Sequence, residues 1–120
     1  MIRLKAIDIQ NFLEAQILCG PLPDEEIMTA CGSDMMSDVL AFPKEKMVLL
    51  TGLTNPHTVR TSELLDVSLV VFVRGKVPSK EVIEMAEEAG IAVLVTKYTL
   101  YDACGRLYQA GLLGGTGRKV

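Results

Sequence analysis

Apolar residues along this chain fall into two alternating rhythms: short unbroken runs, and positions spaced three and four apart. Met47 to Leu50, Leu69 to Val73 and Ala92 to Val95 are nearly continuous and rich in branched residues, the pattern of strands covered on both faces. Between them lie helical patterns. One starts at Pro56 after Asn55, runs to about Leu65 and carries a thin apolar face of Val59, Leu64 and Leu65; the other follows Ser79 and carries Val82, Ile83, Ala86 and Ala89 before Gly90. A last helix is marked by Leu100, Ala103, Cys104, Leu107, Tyr108 and Gly111, with Thr99 and Asp102 spaced as a capping box. Upstream, Ile7, Phe12 and Leu13 suit a short helix within residues 4–13, and residues 15–19 and 26–31 read as extended. Gly32, Ser33 and Asp34 then form a turn whose Asp34 is placed to cap a helix carrying Met35, Met36, Val39 and Leu40, which Pro43 ends.

Strands separated by ten- to fifteen-residue helical patterns require crossovers, and crossovers are right-handed. The prediction is an α/β fold: a three-layer α/β/α sandwich with a mostly parallel sheet of four to five strands. Residues 1–113 form one domain, and residues 114–120, glycine-rich with nothing to bury, form a mobile tail. In such a sheet the strand-to-helix turns gather at one edge, where open parallel sheets bind ligands. That edge collects Gly32, Ser33 and Asp34; Thr51, Gly52, Thr54, Asn55 and His57; Arg74, Gly75 and Lys76; and Thr96 and Lys97.

Composition narrows the classes. The chain has 120 residues, enough to bury a core without disulfides, and 49% are apolar, which leaves apolar surface for a partner chain; a homodimer is expected. The net charge of −3 and the scattered basic residues argue against nucleic acid as a partner. Three cysteines without a Cys-x-x-Cys pair give neither a disulfide framework nor a zinc knuckle, and no apolar run is long enough for a membrane span. A cytoplasmic protein without a cofactor is the expectation.

Candidate chemistry concentrates at the predicted edge. Helix N-termini after Gly32-Ser33-Asp34 and Thr54-Asn55 offer N–H groups to a phosphate or carboxylate, and Arg74, Lys76 and Lys97 add positive charge. Each turn taken singly is explained by helix capping; it is their convergence that points to a binding edge. His57 is the one histidine, but no nucleophile is tied to it by a motif, so its place is ligand contact, not catalysis. Asp34 and Asp38, one turn apart, read as a cap and a solvated face, and Cys19, Cys31, Cys104 and His57 lack the close spacing of a metal site. No Walker A loop is present, the glycine-rich tail included.

The segments from Gly32 to Leu40, Leu50 to Gly52 and Val70 to Pro78, with Glu81, Ala86, Ala89 to Ile91, Val93, Leu94 and the helix within residues 98–111, resemble a DRTGG domain. The resemblance implies the fold of the N-terminal domain of HPr kinase/phosphorylase, similar to the N-terminal domain of MurF-type ligases, and a regulatory role without its own reaction. The kinase chemistry of the HPr enzyme belongs to a P-loop domain that this sequence lacks. The Asp-Arg-Thr-Gly-Gly string is absent here, and residues 51–56 stand in its loop region, so no catalytic residue carries over.

Together these readings predict a non-catalytic module that senses a small anionic metabolite or nucleotide at the strand-to-helix edge. The candidate contacts are Gly32, Ser33, Asp34, Thr51, Gly52, Thr54, Asn55, His57, Arg74, Gly75 and Lys97. The alternatives are a protein-interaction subunit without a small ligand, and a small enzyme using His57 with Asp34 or a nearby threonine.

Overall fold

A computed structural model describes residues 3–115. The elements run α1 (Ala6–Leu13), β1 (Gln16–Cys19), β2 (Thr29–Gly32), α2 (Met36–Ala41), β3 (Met47–Thr51), α3 (Pro56–Leu64), β4 (Leu69–Phe72), α4 (Lys80–Glu88), β5 (Ala92–Val95) and α5 (Leu100–Gln109). They build one five-stranded sheet in the order β1-β5-β4-β3-β2. β2 to β5 are parallel, as the crossover helices require, whereas β1 runs antiparallel to β5 with Gln16 opposite Val95. The architecture is the α/β sandwich that the alternating pattern predicts, with a single reversed strand at one edge.

Every residue of β3, β4 and β5 is buried, because each strand feeds two cores. Val48, Leu50, Val71 and Leu94 point to one face, where α1 and α5 close over them with Ile9, Leu13, Ala103 and Leu107. Leu49, Val70, Phe72 and Val93 point to the other, against Met36, Val39, Val59, Val82 and Ala86 of α2, α3 and α4. Each such large side chain contributes roughly 1.5–3 kcal/mol of transfer free energy.

The helical faces depart from expectation where the predicted stripe was thin. In α3 the buried positions are Thr58, Val59, Thr61 and Ser62, while Leu64 is 73% exposed. The hydroxyls are tolerated inside because they bond locally: Thr58 Oγ1 donates to Leu53 O at 2.6 Å and Ser62 Oγ to Thr58 O at 2.8 Å. In α1 it is Ala6, Ile9 and Leu13 that are buried, with Ile7 and Phe12 turned outward. In α2 only Met36 and Val39 are buried, and Met35 and Leu40 face outward; in α5 Tyr108 does so too, and Cys104 is half-buried. The second extended stretch shrinks to Thr29–Gly32, and Ile27 forms only a bridge to Leu4.

Of the predicted tail, Gly114 and Gly115 lie beside the outer strand: Ala30 N donates to Leu113 O at 3.1 Å, and a Cβ on Gly115 would sit 3.6 Å from both the Thr29 and the Lys44 side chains. Residues 116–120 lie outside the described residues.

Candidate functional site

The C-terminal ends of β2, β3, β4 and β5 form one continuous edge, stitched by backbone bonds. Ser33 N donates to Leu50 O at 3.1 Å, Val73 N to Thr51 O at 3.1 Å, and Arg74 N and Gly75 N to Tyr98 O and Thr96 O, both at 2.8 Å. The edge divides into two halves with different chemistry.

On the β2–β3 side, Asp34 is not the helix cap that its position suggests. The N-cap of α2 is Met35, without a side-chain bond, and Met35 N instead donates to Ser33 Oγ at 3.0 Å. The Asp34 carboxylate crosses to the next strand end, where its Oδ1 accepts from Gly52 N at 2.6 Å and from Thr51 Oγ1 at 3.2 Å. Thr51 Oγ1 in turn accepts from Leu53 N at 3.0 Å. Arg74 completes the group. Its guanidinium lies against the bare Cα of Gly52: a Cβ there would sit 2.8 Å from an Arg74 terminal nitrogen and 3.4 Å from both Asp34 oxygens. Gly52 therefore lets the arginine and the aspartate both approach the turn. Arg74 itself takes a left-handed backbone (φ 59°), as does Gly75 (φ 66°), so the chain reverses sharply just after β4.

The N–H groups expected to be open at these turns are consequently occupied by the chain's own acceptors: Gly52 by Asp34, Met35 by Ser33, and His57 by Asn55 Oδ1 at 3.0 Å. Asn55 caps α3 as its position predicts. Asn55 and His57 are exposed, and neither they nor Thr54 line the cavities described here. Gly32 and Ser33 border a shallow cleft of about 400 Å³ with Cys31, Asp38, Phe42 and Lys44, on the flank of β2. Among the described residues no group of three or more His, Cys, Asp or Glu side chains is placed to hold a metal ion.

The β4–β5 side holds the cavity. A cleft of about 510 Å³ is lined by Gly75 and Val77 after β4, by Val95, Thr96, Lys97 and Tyr98 at the end of β5, and by Leu13, Glu14 and Gln16 where α1 passes into β1. The reversal of β1 brings that turn here: an antiparallel partner begins where β5 ends. Thr96 is buried and its hydroxyl donates to Leu13 O at 2.6 Å, which ties the floor of the cleft to the end of α1. Glu14, in a left-handed backbone (φ 49°), accepts from the Tyr98 hydroxyl, and this bond, more than burial, pushes the Tyr98 phenol above its ordinary range. Arg106 of α5 stacks on the Tyr98 ring at 4.5 Å, approaches Glu14 at 4.0 Å and donates through Nε to Phe12 O at 2.8 Å. The cleft thus offers one amine, a carboxylate already engaged by a phenol, a buried hydroxyl and apolar walls.

Of the predicted residues, Asp34, Thr51, Gly52 and Arg74 are brought together as one cluster, and Gly75 and Lys97 as two walls of the cleft. Glu14, Gln16, Val77 and Tyr98 were not anticipated. Tyr98 follows directly on Lys97 and belongs to the same strand end, but Glu14 and Gln16 become legible only once the first strand is known to run antiparallel.

No family model matches the chain. No curated protein matches it either. Among solved structures, the chain is similar to the crystal structure of the CBS and DRTGG domains of the regulatory region of Clostridium perfringens pyrophosphatase, complexed with the activator diadenosine tetraphosphate. The TM-score is 0.69 at 22% identity, over 88% of this chain and 46% of that one. The likeness shows a related fold, and the chain spans just under half the length of that structure.

Proposed function

We propose that this chain is a regulatory, ligand-sensing module of the DRTGG type that binds a small anionic metabolite or nucleotide in the β4–β5 cleft and catalyses no reaction of its own. The observation that carries the reading is the cleft itself. Its volume of about 510 Å³ falls within the roughly 300–1,000 Å³ common for small-molecule sites, and it lies at the strand ends where open sheets take ligands. Lys97 supplies the positive charge for a phosphate or carboxylate. Val77 and the Tyr98 ring supply apolar area for a base or other ring. The lining contains no histidine, cysteine or serine, and its carboxylate accepts the Tyr98 hydroxyl, so the residues present favour holding a ligand over turning it over. The fold shared with the regulatory region of a pyrophosphatase crystallised with a nucleotide activator supports the same reading.

Thermal denaturation against adenine mono-, di- and triphosphates, diadenosine tetraphosphate and phosphorylated metabolites tests it. A ligand present at a hundred times its Kd stabilises the fold by about 2.7 kcal/mol through mass action. Lys97→Ala removes the shift, and His57→Ala, outside the cleft, keeps it. Absence of a shift with every compound defeats the reading.

A further inference from the structure

We propose, resting on the reading of the β4–β5 cleft given above, that its ligand carries a single phosphate on a sugar with vicinal hydroxyls, and that Glu14 selects it by accepting from those hydroxyls through Oε1. Most polar groups around the cleft are already committed within the chain. The Thr96 hydroxyl donates to Leu13 O and accepts from Tyr98 N at 3.3 Å. Gly75 N and Arg74 N donate to Thr96 O and Tyr98 O, and the Tyr98 hydroxyl donates to Glu14. Glu14 is committed on one oxygen only. The Tyr98 hydroxyl and Arg106, at 4.0 Å, both address Oε2; among the described residues no donor meets Oε1, and the side chain is 71% exposed.

The sheet order places that free oxygen opposite an apolar wall. β5 lies between β1 and β4, so Glu14 flanks the end of β5 on one side, and Gly75 and Val77, the latter 60% exposed, flank it on the other. Lys97 rises from the β5 end between them. The lining thus holds one cation and one anion. A single amine answers one phosphate, whereas a chain of several would leave negative charge unanswered beside Glu14. Opposite the phosphate, a neutral donor suffices, because the Glu14 charge is already met by a phenol and a guanidinium. A carboxylate oxygen accepts two hydrogen bonds, which two neighbouring sugar hydroxyls supply together. Carboxylates at parallel strand ends hold ribose hydroxyls in this way in other open sheets.

Isothermal titration calorimetry on the full chain with adenosine monophosphate, deoxyadenosine monophosphate, ribose phosphate and adenosine triphosphate tests this. Adenosine monophosphate binds at least about tenfold more tightly than its deoxy form, since a hydrogen bond to a charged group goes with the missing hydroxyl. Glu14→Ala abolishes that ratio by weakening the ribose compound and sparing the deoxy one. A merely structural Glu14 would weaken both alike and keep the ratio, and that result overturns the proposal. Ribose phosphate separates the two sources of this chemistry: parity with adenosine monophosphate makes the sugar phosphate the whole determinant, and weaker binding that still requires Glu14 assigns the remainder to the base. Adenosine triphosphate gains nothing over the monophosphate; tighter binding overturns the single phosphate. Binding that Lys97→Ala removes but that ignores the missing hydroxyl overturns this proposal and leaves the cleft reading intact, as does binding of some other anion alone. No binding by any anion defeats both.

Discussion

Gly32, the last residue of β2, lies directly beneath α5, and replacing it by alanine isolates one contact of the fold. A Cβ built there falls inside the contact radius of Cys104 Sγ, yet stands 3.4 Å from Leu100 Cδ1 and 3.9 Å from Cys104 Cβ, both tolerable. The conflict is thus with the sulfur alone. Two effects oppose each other. Gly32 has no left-handed backbone to strain an alanine, so the lost freedom of the unfolded chain stabilises Gly32→Ala by about 0.4–1 kcal/mol. Overpacking against a helix costs about 1–3 kcal/mol, since a helical cysteine has few alternative rotamers and the sulfur cannot swing freely away. The overlap wins, and Gly32→Ala alone should lose about 1–2 kcal/mol, or roughly 4–8 °C in Tm for a domain of this size. In a Cys104→Ala background the sulfur is gone and the new methyl occupies its space, so the same substitution becomes neutral or stabilising by up to about 1 kcal/mol. Urea unfolding of the four proteins under reducing conditions, with matched m-values, measures the cycle. An equal cost of Gly32→Ala in both backgrounds refutes the packing argument, and so does a stabilisation in the wild type.

Two further outcomes follow from single contacts. Asp34→Ala strips the acceptor from the buried Gly52 N–H and should cost about 1–3 kcal/mol in urea unfolding, whereas Asp34→Asn keeps an oxygen in place and loses less; equal losses would show that the charge beside Arg74, not the hydrogen bond, is what matters. Tyr98 is raised above its ordinary range by its bond to Glu14, so the folded chain holds that proton more tightly than the unfolded one: the contribution is complete below the ordinary tyrosine range of about 10 and is lost as pH rises through the elevated value. Stability of the wild type should therefore fall more steeply than that of Tyr98→Phe across the alkaline range, and parallel curves would remove the coupling.

The fold was largely legible because β3, β4 and β5 are buried on both faces and so carry unbroken apolar runs, which helical patterns then separate. The caps Asn55, Ser79 and Thr99 were readable for the same local reason, each accepting from the first turn of its own helix. Pattern failed where burial is decided by neighbours. Thr58 and Ser62 sit inside α3 because nearby carbonyls accept their hydroxyls, while Leu64 is left outside. The sense of β1 was equally hidden, since four residues with two exposed positions carry no signal for parallel or antiparallel pairing. That one reversal decides one wall of the cleft, Leu13, Glu14 and Gln16.

Asp34 shows how local grammar and tertiary structure compete for one side chain. In sequence it stands where a carboxylate ordinarily caps the coming helix and leaves the Thr51–Gly52 turn open to an outside anion. In the folded chain the α2 amide is served by Ser33, and the freed carboxylate takes the position over Gly52 that such an anion would occupy, with Arg74 beside it. A second negative group at that turn would meet Asp34 at hydrogen-bond range, where like charges repel most strongly. On the proposed reading, an anionic ligand is therefore steered along the edge to the strand ends where Lys97 has no such competitor among the lining residues except Glu14, which the Tyr98 hydroxyl and Arg106 already engage. The proposed function thus places selectivity at this edge in which of the chain's own carboxylates has already been answered.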